Sequence, residues 1–213
     1  MKIALFGATG HIGQGILDEA LSRGYAVVAV VRDPSRLAQR NVLLRVVTGD
    51  VTQVDSWLAA IRGADAVVTS LSARRDGNPD SVPANAQLLL DNLPKAGVKR
   101  LLWVGGAASL EVAPGVRVID DPNFPAEWKP EAAAQAKALD VFRASEADVD
   151  WTYISPAAVV QDGERSGKYR VGGDQLLVDA KGESRIAVAD YAVALLDRIE
   201  QHDALRQRIT VAY

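Results

Sequence analysis

Three glycines near the N-terminus have the spacing of a phosphate-binding turn. They belong to the segment Gly7-Ala8-Thr9-Gly10-His11-Ile12-Gly13, which follows the apolar run Ile3 to Phe6 and opens a stretch of helical periodicity. Glycine permits a tight turn at Gly7, close approach of a pyrophosphate to the backbone at Gly10, and close helix packing at Gly13. The N-terminus of the helix then faces the phosphate charge. The segment therefore predicts a site for a dinucleotide.

An arginine follows the second apolar run, where a site specific for NAD usually has a carboxylate that binds the ribose 2′-hydroxyl. Arg32 can pair with the 2′-phosphate of NADP through charge-assisted hydrogen bonds, and Arg36 or Arg40 is placed to assist. We therefore predict NADP(H) as the preferred cofactor. The alternative is a solvated Arg32, with the neighbouring Asp33 serving the 2′-hydroxyl of NAD(H).

Two later strand ends are expected to border the adenine and ribose side of the same crevice. Asp50 and Val51 follow the third apolar run, and Ser70 and Leu71 follow the fourth. Asp50 either accepts a hydrogen bond from the adenine amino group or caps the helix expected beyond Thr52.

Short, unbroken apolar runs alternate with stretches of helical periodicity. The runs predict strands over Ile3 to Phe6, Ala26 to Val31, Leu43 to Val47, Ala66 to Thr69, Leu101 to Val104, Trp151 to Ile154 and Arg208 to Ala212. The periodic stretches predict helices over Ile12 to Arg23, Val54 to Arg62, Asn85 to Ala96, Pro130 to Ala147 and Ala189 to Glu200. This alternation predicts an α/β fold, a Rossmann-like doubly wound parallel sheet with helices on both faces.

The sequence pattern changes after the sixth predicted strand. Glycines punctuate short apolar segments such as Lys168 to Val171 and Leu176 to Val178, which predicts loops and small hairpins. No linker or repeat interrupts the chain, so we expect one domain over residues 1–213. Residues 156–185 are expected to form a small capping region on the substrate side.

Composition excludes several classes of function. The net charge is −3 and no basic run is present, so nucleic acid is not an expected partner. The chain has no cysteine and two histidines, which argues against a metal site. No apolar run is long enough for a membrane span, and none resembles a signal peptide. We expect a cytoplasmic protein, a monomer or homodimer, that acts on a small molecule.

Five segments together resemble the atypical short-chain dehydrogenase/reductases. They are Ala4 to Gly13, Val31 to Pro34, Gly49 to Val51, Ile154 to Ala157 and Val188 to Ala192. More narrowly, the chain resembles the NAD(P)H-binding, NmrA-like group described as candidate NADH-flavin reductases, relatives of biliverdin reductase B. The resemblance covers nearly the whole length. It implies fold and cofactor more strongly than substrate, because this superfamily contains reductases, epimerases and non-catalytic redox sensors.

The resemblance also indicates where catalysis would take place. Classical members use a serine and a Tyr-x-x-x-Lys pair, in which the tyrosine donates a proton and the lysine binds the ribose. Ser109 matches the serine region and Lys137 falls in the long helix, but Ala133 stands four residues before it and the tyrosine is missing. The alternatives are a loop serine and a solvated helix lysine. His11 is expected to begin a helix rather than act as an acid or base.

The substrate side is expected around the end of the sixth strand. Ser155, Pro156 and Ala157 match the segment that lines the nicotinamide pocket in relatives. Phe124 and Trp128 lie on one long loop and Tyr169 on another, where aromatic rings suit stacking against a planar substrate. The alternative is that these rings fill the core beneath their loops.

These observations predict a reductase that passes hydride from NADPH to a flavin, a quinone-like compound or another planar acceptor. An oxidised flavin takes its proton from solvent, so positioning the two rings is sufficient without a protein acid. The alternative is a non-catalytic, NmrA-like protein that senses NADP(H). An epimerase acting on a nucleotide sugar is the third reading, against which the missing tyrosine and the short chain count.

Overall fold

A computed structural model describes residues 1–74 and 77–213. Twelve strands lie in these two ranges: β1 (Lys2–Phe6), β2 (Ala26–Val31), β3 (Leu44–Thr48), β4 (Ala66–Thr69), β5 (Arg100–Val104), β6 (Glu111–Ala113), β7 (Val116–Arg117), β8 (Asp150–Pro156), β9 (Val159–Gln161), β10 (Arg170–Gly172), β11 (Arg185–Ala187) and β12 (Gln207–Ala212). Four α-helices accompany them: α1 (His11–Ser22), α2 (Ser81–Asn92), α3 (Lys129–Ala144) and α4 (Val188–Glu200).

Eight strands form the central sheet, in the order β10-β12-β8-β5-β4-β1-β2-β3. All neighbours pair in parallel except β10, which runs antiparallel to β12 at one edge. From β1 the chain first builds outward to β2 and β3, then returns to the other side of β1 with β4. This reversal of strand order creates a crevice between the carboxyl ends of β1 and β4, the usual place for a ligand in such sheets.

The sheet is covered by helices on both faces, as the unbroken apolar strands predict. Alternate residues of β1 show the two sides: Ile3 and Leu5 belong to the core shared with α1 and α4, and Ala4 and Phe6 belong to the core shared with α2 and α3. The predicted Rossmann-like α/β fold is therefore confirmed.

Two predicted helices differ from the observed ones. Residues 54–62 form only a short 3₁₀ turn, Val54–Ser56, followed by further turns. The Ser56 hydroxyl donates to the carbonyl of Gln53 at 2.6 Å, a local bond that competes with helix formation. The next helix begins earlier than predicted, at Ser81, and Pro94 opens a separate 3₁₀ turn after it because proline interrupts a continuing helix.

Residues 156–185 extend from the end of β8 and contain two short pairings. β9 pairs in parallel with β11, and β10 adds to the edge of the main sheet. Residues 176–178 lie in a loop without regular secondary structure, within the region where loops and small hairpins are predicted. The segment is tied to α4 by the buried carboxylate of Asp190, which accepts hydrogen bonds from the backbone of Ser166 and Gly167.

Candidate functional site

The glycine turn lies at the reversal point of the sheet. Gly7 has a φ of +84°, and the N–H of Gly10 donates to its carbonyl at 2.9 Å. A Cβ at Gly7 would come within 2.2 Å of the Ser70 carbonyl oxygen, so the turn after β1 is in direct contact with the end of β4. A Cβ at Gly13 would come within 2.0 Å of the Gly7 carbonyl oxygen. Only glycine therefore fits at these two positions, where the turn after β1 packs closely against the end of β4 and against α1.

The start of α1 offers backbone donors. Gly10 is extended, with φ −87° and ψ 164°, and no side chain caps the helix at this residue. The N–H groups of the first helical turn, beginning at His11, have no carbonyl acceptor within the helix. A Cβ at Gly10 would meet only the Gly7 carbonyl oxygen, at 3.3 Å, so the surface over this residue is open. This cradle fits a pyrophosphate.

The remaining residues of the turn support the cradle. Ala8 is fully buried and Ile12 packs against the core on the α1 side, while Thr9 is half-buried. The His11 ring is 59% exposed and lies 3.4 Å from the Asp162 carboxylate. His11 thus faces the loop after β9, consistent with a residue that begins the helix.

Charged side chains follow the end of β2. Arg32 is exposed there. The Asp33 carboxylate accepts hydrogen bonds from the N–H and hydroxyl of Ser35, at 3.0 and 2.6 Å, which lowers the pKa of Asp33. Asp33 therefore serves a local turn. Arg40 donates to the carbonyls of Leu37 and Gln39 at 2.8 and 2.9 Å, so its guanidinium is folded onto its own loop.

Asp50 also serves a local turn. Its Oδ1 accepts from the N–H and hydroxyl of Thr52, at 2.9 and 2.7 Å. The carbonyl of Val51 accepts from the Trp57 indole at 3.1 Å, which fixes the chain as it leaves β3. The 3₁₀ turn Val54–Ser56 begins after Gln53 and has no side-chain cap, so Asp50 holds its own turn and does not cap that element.

The ends of β3 and β4 do not share one side of the crevice. β3 lies beyond β2, and β4 lies on the opposite side of β1. Asp50 and Val51 are therefore on the side of Arg32, whereas Ser70 and Leu71 border the other half. This separation follows from the reversal of strand order at β1, and contact of either strand end with the adenine stays a prediction.

Buried hydroxyl groups mark the carboxyl ends of β4 and β8. Thr69 and Ser155 are fully buried, and neither hydroxyl has a hydrogen-bond partner among the described residues. Pro156 and Ala157 are also buried and form an apolar end to β8. An unsatisfied buried hydroxyl costs about 1–3 kcal/mol. Both hydroxyls are covered by protein, so the structure does not offer them to a ligand.

The structure does not bring Ser109 and Lys137 together. The Ser109 hydroxyl accepts from Arg208 at 3.4 Å, and Arg208 is in turn paired with Asp174. The Lys137 ammonium is 65% exposed and lies 3.8 Å from the Asp80 carboxylate, near the start of α2. Lys137 thus occupies the outer face of α3, as its solvated-lysine alternative describes.

Two residues that the sequence reading missed occupy the inner face of α3. The Glu131 carboxylate accepts from the Ala73 N–H at 2.9 Å and from the Gln135 amide at 3.2 Å. Gln135 is buried and also donates to the Leu71 carbonyl at 3.2 Å. Their spacing could have indicated this position. Glu131 and Gln135 are polar residues on the same helix face as the buried Ala138 and Phe142.

Every tyrosine hydroxyl already donates to another group of the protein. The partners are Glu200 for Tyr25, the Gln135 carbonyl for Tyr153, Asp197 for Tyr169, the Ile154 carbonyl for Tyr191 and Asp190 for Tyr213. Burial raises the pKa of both Tyr153 and Tyr191. No tyrosine is therefore in a position to act as the proton donor, in agreement with the missing Tyr-x-x-x-Lys pair.

The three candidate substrate aromatics separate into two groups. Phe124 and Trp128 form an edge-to-face pair with ring centroids 6.5 Å apart, and Trp128 is 54% exposed beside the start of α3. Tyr169 packs on the α1 and α4 side of the sheet, where its hydroxyl contacts Asp197 near the end of α4. Only Phe124 and Trp128 thus lie on the α3 face of the sheet.

Comparison with known proteins identifies the family. A sequence model described as NAD(P)H-binding matches residues 7–198, which include the glycine turn, all of α3 and most of α4. The chain belongs to this NAD(P)H-binding family.

Three solved structures are similar over the whole chain. A candidate exported protein from Burkholderia pseudomallei is 41% identical with a TM-score of 0.89, each chain being covered completely. A candidate epimerase from Bacteroides thetaiotaomicron is 38% identical with a TM-score of 0.90, with 100% of this chain and 96% of that chain covered. A candidate NADH-flavin reductase from Streptococcus pneumoniae is 34% identical with a TM-score of 0.82, with 100% and 99% covered. The three structures share one fold, whereas their names differ: one states a location and the other two state different activities.

In residues 1–74 and 77–213, no helix has both the length and the apolar character to cross a membrane. Within the same ranges, no group of three or more His, Asp or Glu side chains is placed to hold a metal ion. The cytoplasmic location and the oligomeric state stay predictions.

Proposed function

We propose that this protein is an NADPH-dependent reductase that transfers hydride to a planar acceptor, with an oxidised flavin as the first candidate. The observation that carries the proposal is the open cradle of Gly7, Gly10 and Gly13 in a chain whose tyrosines are all engaged elsewhere. Hydride transfer to a flavin requires a held cofactor, and it proceeds without a dedicated protein acid because the reduced flavin can take its proton from solvent. The NADH-flavin reductase name of the Streptococcus pneumoniae relative supports the acceptor class.

The preference for NADPH is supported by the charges at the end of β2. Arg32 is exposed at this position, and the carboxylate of Asp33 is engaged by Ser35. A guanidinium provides planar, paired donors for a phosphate, and the Ser35 bonds to one oxygen of Asp33 hold that carboxylate in a local turn. Arg32 is therefore the residue that we expect to bind the 2′-phosphate.

The remaining residues hold the reacting rings. Bound NADPH supplies a hydride from its nicotinamide. The backbone N–H groups at the start of α1 bind the pyrophosphate, and the buried end of β8, from Ser155 to Ala157, forms a wall for the nicotinamide. Phe124 and Trp128 provide an aromatic surface for the acceptor, on the α3 face. The acceptor takes its proton from water, because no tyrosine phenol is available to donate one.

Steady-state oxidation of NADPH tests this proposal. The decrease in absorbance at 340 nm is followed with FMN, riboflavin, a quinone and a small aldehyde as acceptors. We expect turnover with flavin or quinone and little with the aldehyde, whose alkoxide needs a protein acid. Tight NADPH binding without turnover on any acceptor would contradict the reductase and favour the NADP(H)-sensing alternative.

A further inference from the structure

Residues 70–74, the first described part of the loop after β4, are held in place by one face of α3. α3 precedes β8, so it runs antiparallel to the strands and its first turn lies at the carboxyl edge of the sheet. From this turn the Glu131 carboxylate binds the N–H of Ala73, and one turn later Gln135 binds the carbonyl of Leu71. The loop begins at Ser70, whose backbone is in contact with Gly7. α3 therefore fixes one wall of the cofactor crevice.

The hydrogen bonds continue from this loop to the end of β5. The Gln135 side-chain carbonyl accepts from the Trp103 indole at 3.1 Å, which fixes the orientation of its amide. The backbone carbonyl of Gln135 accepts from the Tyr153 hydroxyl at 3.0 Å, and that hydroxyl accepts from the N–H of Gly106 at 3.1 Å. One helix face thus connects the loops that follow β4 and β5. Glu131 is the charged member of this network and lies at its outer end.

These contacts lie on one half of the crevice. The ends of β4, β5 and β8 are on the side of β1 opposite to Arg32. A dinucleotide that crosses the reversal point places its adenosine half over β2 and β3, and its nicotinamide half over β4 and β5. A change in the loop after β4 therefore alters contacts with the nicotinamide half and leaves those with the adenosine half in place.

We infer that Glu131, together with Gln135, is the positioning pair of this site: it holds the loop after β4 against the nicotinamide half of the cofactor. The pair has the i, i+4 spacing of the absent Tyr-x-x-x-Lys, two residues earlier on the helix and facing inward. Glu131 acts through Ala73 and Gln135 and transfers no proton. The inference rests on the proposed function for its cofactor.

Glu131→Ala removes both acceptors, and Glu131→Gln keeps one. In Glu131→Gln, the new amide nitrogen faces either the N–H of Ala73 or the amide nitrogen of Gln135. Gln135 cannot flip its own amide to accept from it, because the Gln135 side-chain carbonyl is bonded to the Trp103 indole. Asp140→Asn is the matched control, because Asp140 is an exposed carboxylate on the same helix. All three are checked by circular dichroism and thermal unfolding before binding is measured.

The affinities for NADPH and for 2′,5′-ADP, which contains only the adenosine half, are measured by calorimetry. We expect about 10-fold weaker NADPH binding for Glu131→Ala, roughly the loss of one charge-assisted hydrogen bond. Glu131→Gln should be intermediate, and 2′,5′-ADP should bind all variants within about twofold of wild type. A folded Glu131→Ala variant with unchanged NADPH affinity would overturn the inference, as would equal losses for both ligands. If the contrast appears but no acceptor is reduced, only the proposed reductase activity fails.

Discussion

Substitution of Gly10 by alanine should separate ligand binding from stability. The backbone of Gly10 has an ordinary extended conformation, and a Cβ there would meet a single atom at 3.3 Å. We expect a cost of less than about 1 kcal/mol, and so a decrease in Tm of less than about 4 °C. The added methyl group would stand over the cradle and displace the pyrophosphate from one N–H donor. Each such bond contributes about 1.5–3 kcal/mol, so NADPH affinity should fall about 10- to 100-fold.

Gly13→Ala should behave differently, because the clash is with the protein itself. A Cβ 2.0 Å from the Gly7 carbonyl oxygen forces α1 away from the turn by roughly 1 Å. Such overpacking costs about 1–3 kcal/mol or more, against a gain of at most about 1 kcal/mol in helix propensity. A net loss of about 2 kcal/mol corresponds to a decrease in Tm of about 4–8 °C for a chain of this size.

The assay is thermal unfolding, followed by circular dichroism, with NADPH affinity measured by calorimetry on the same samples. Gly173→Ala is the control, because no atom lies within 4 Å of a Cβ there and its backbone is not left-handed. Gly10→Ala binding NADPH within about twofold of wild type would refute the cradle as the pyrophosphate site. A Gly13→Ala variant with the Tm of the control would refute the role of close packing at the turn.

Three further outcomes are expected. Arg32→Ala should weaken NADPH binding about 10-fold and leave NADH binding nearly unchanged; an unaltered ratio of the two dissociation constants would remove the argument for NADPH. Asp190→Ala should lower Tm by about 6–12 °C, from about 3 kcal/mol of lost hydrogen bonds to a buried carboxylate. Burial raises the pKa of Asp190 but bonds from Ser166 and Tyr213 outweigh it, so its pKa lies below the ordinary value. Wild type should therefore lose this advantage on acidification below about pH 4, and a difference independent of pH would contradict the assignment. Trp128→Ala should raise the KM for FMN about 2- to 10-fold, and Trp128→Phe should retain most of the affinity; equal KM values for wild type and Trp128→Ala would exclude Trp128 from the acceptor surface.

Much of the fold could be predicted from the sequence, because it depends on local patterns. β2 and β4 begin and end at the predicted residues, since each is an apolar run that both sheet faces bury. The helix predicted over residues 54–62 is wrong because periodicity alone does not account for the side-chain bonds of Ser56. It also does not account for the packing of Trp57 against Phe6, whose ring centroids are 5.3 Å apart.

The cofactor half of the candidate site was easier to predict than the catalytic half. The glycine turn is contiguous in sequence, and its geometry follows from steric rules that apply to single residues. Glu131 and Gln135 act on a loop about 60 residues away in the chain. Their role depends on which face of α3 turns inward. Comparison with the Tyr-x-x-x-Lys pair of classical relatives pointed instead to Lys137, which lies on the outer face.

Each tyrosine hydroxyl is hydrogen-bonded to another group of the protein, which limits the acid catalysis that the site can provide. Without a tyrosine acid, the proposed reductase has no phenol with which to protonate an acceptor that takes up a proton from water slowly. Reduction potential, rather than basicity, would then decide which compounds are converted, and any flat, electron-poor ring of sufficient potential that fits beside Trp128 would qualify. The expected signature is a rate that follows the potential of the acceptor across chemically unrelated ring systems.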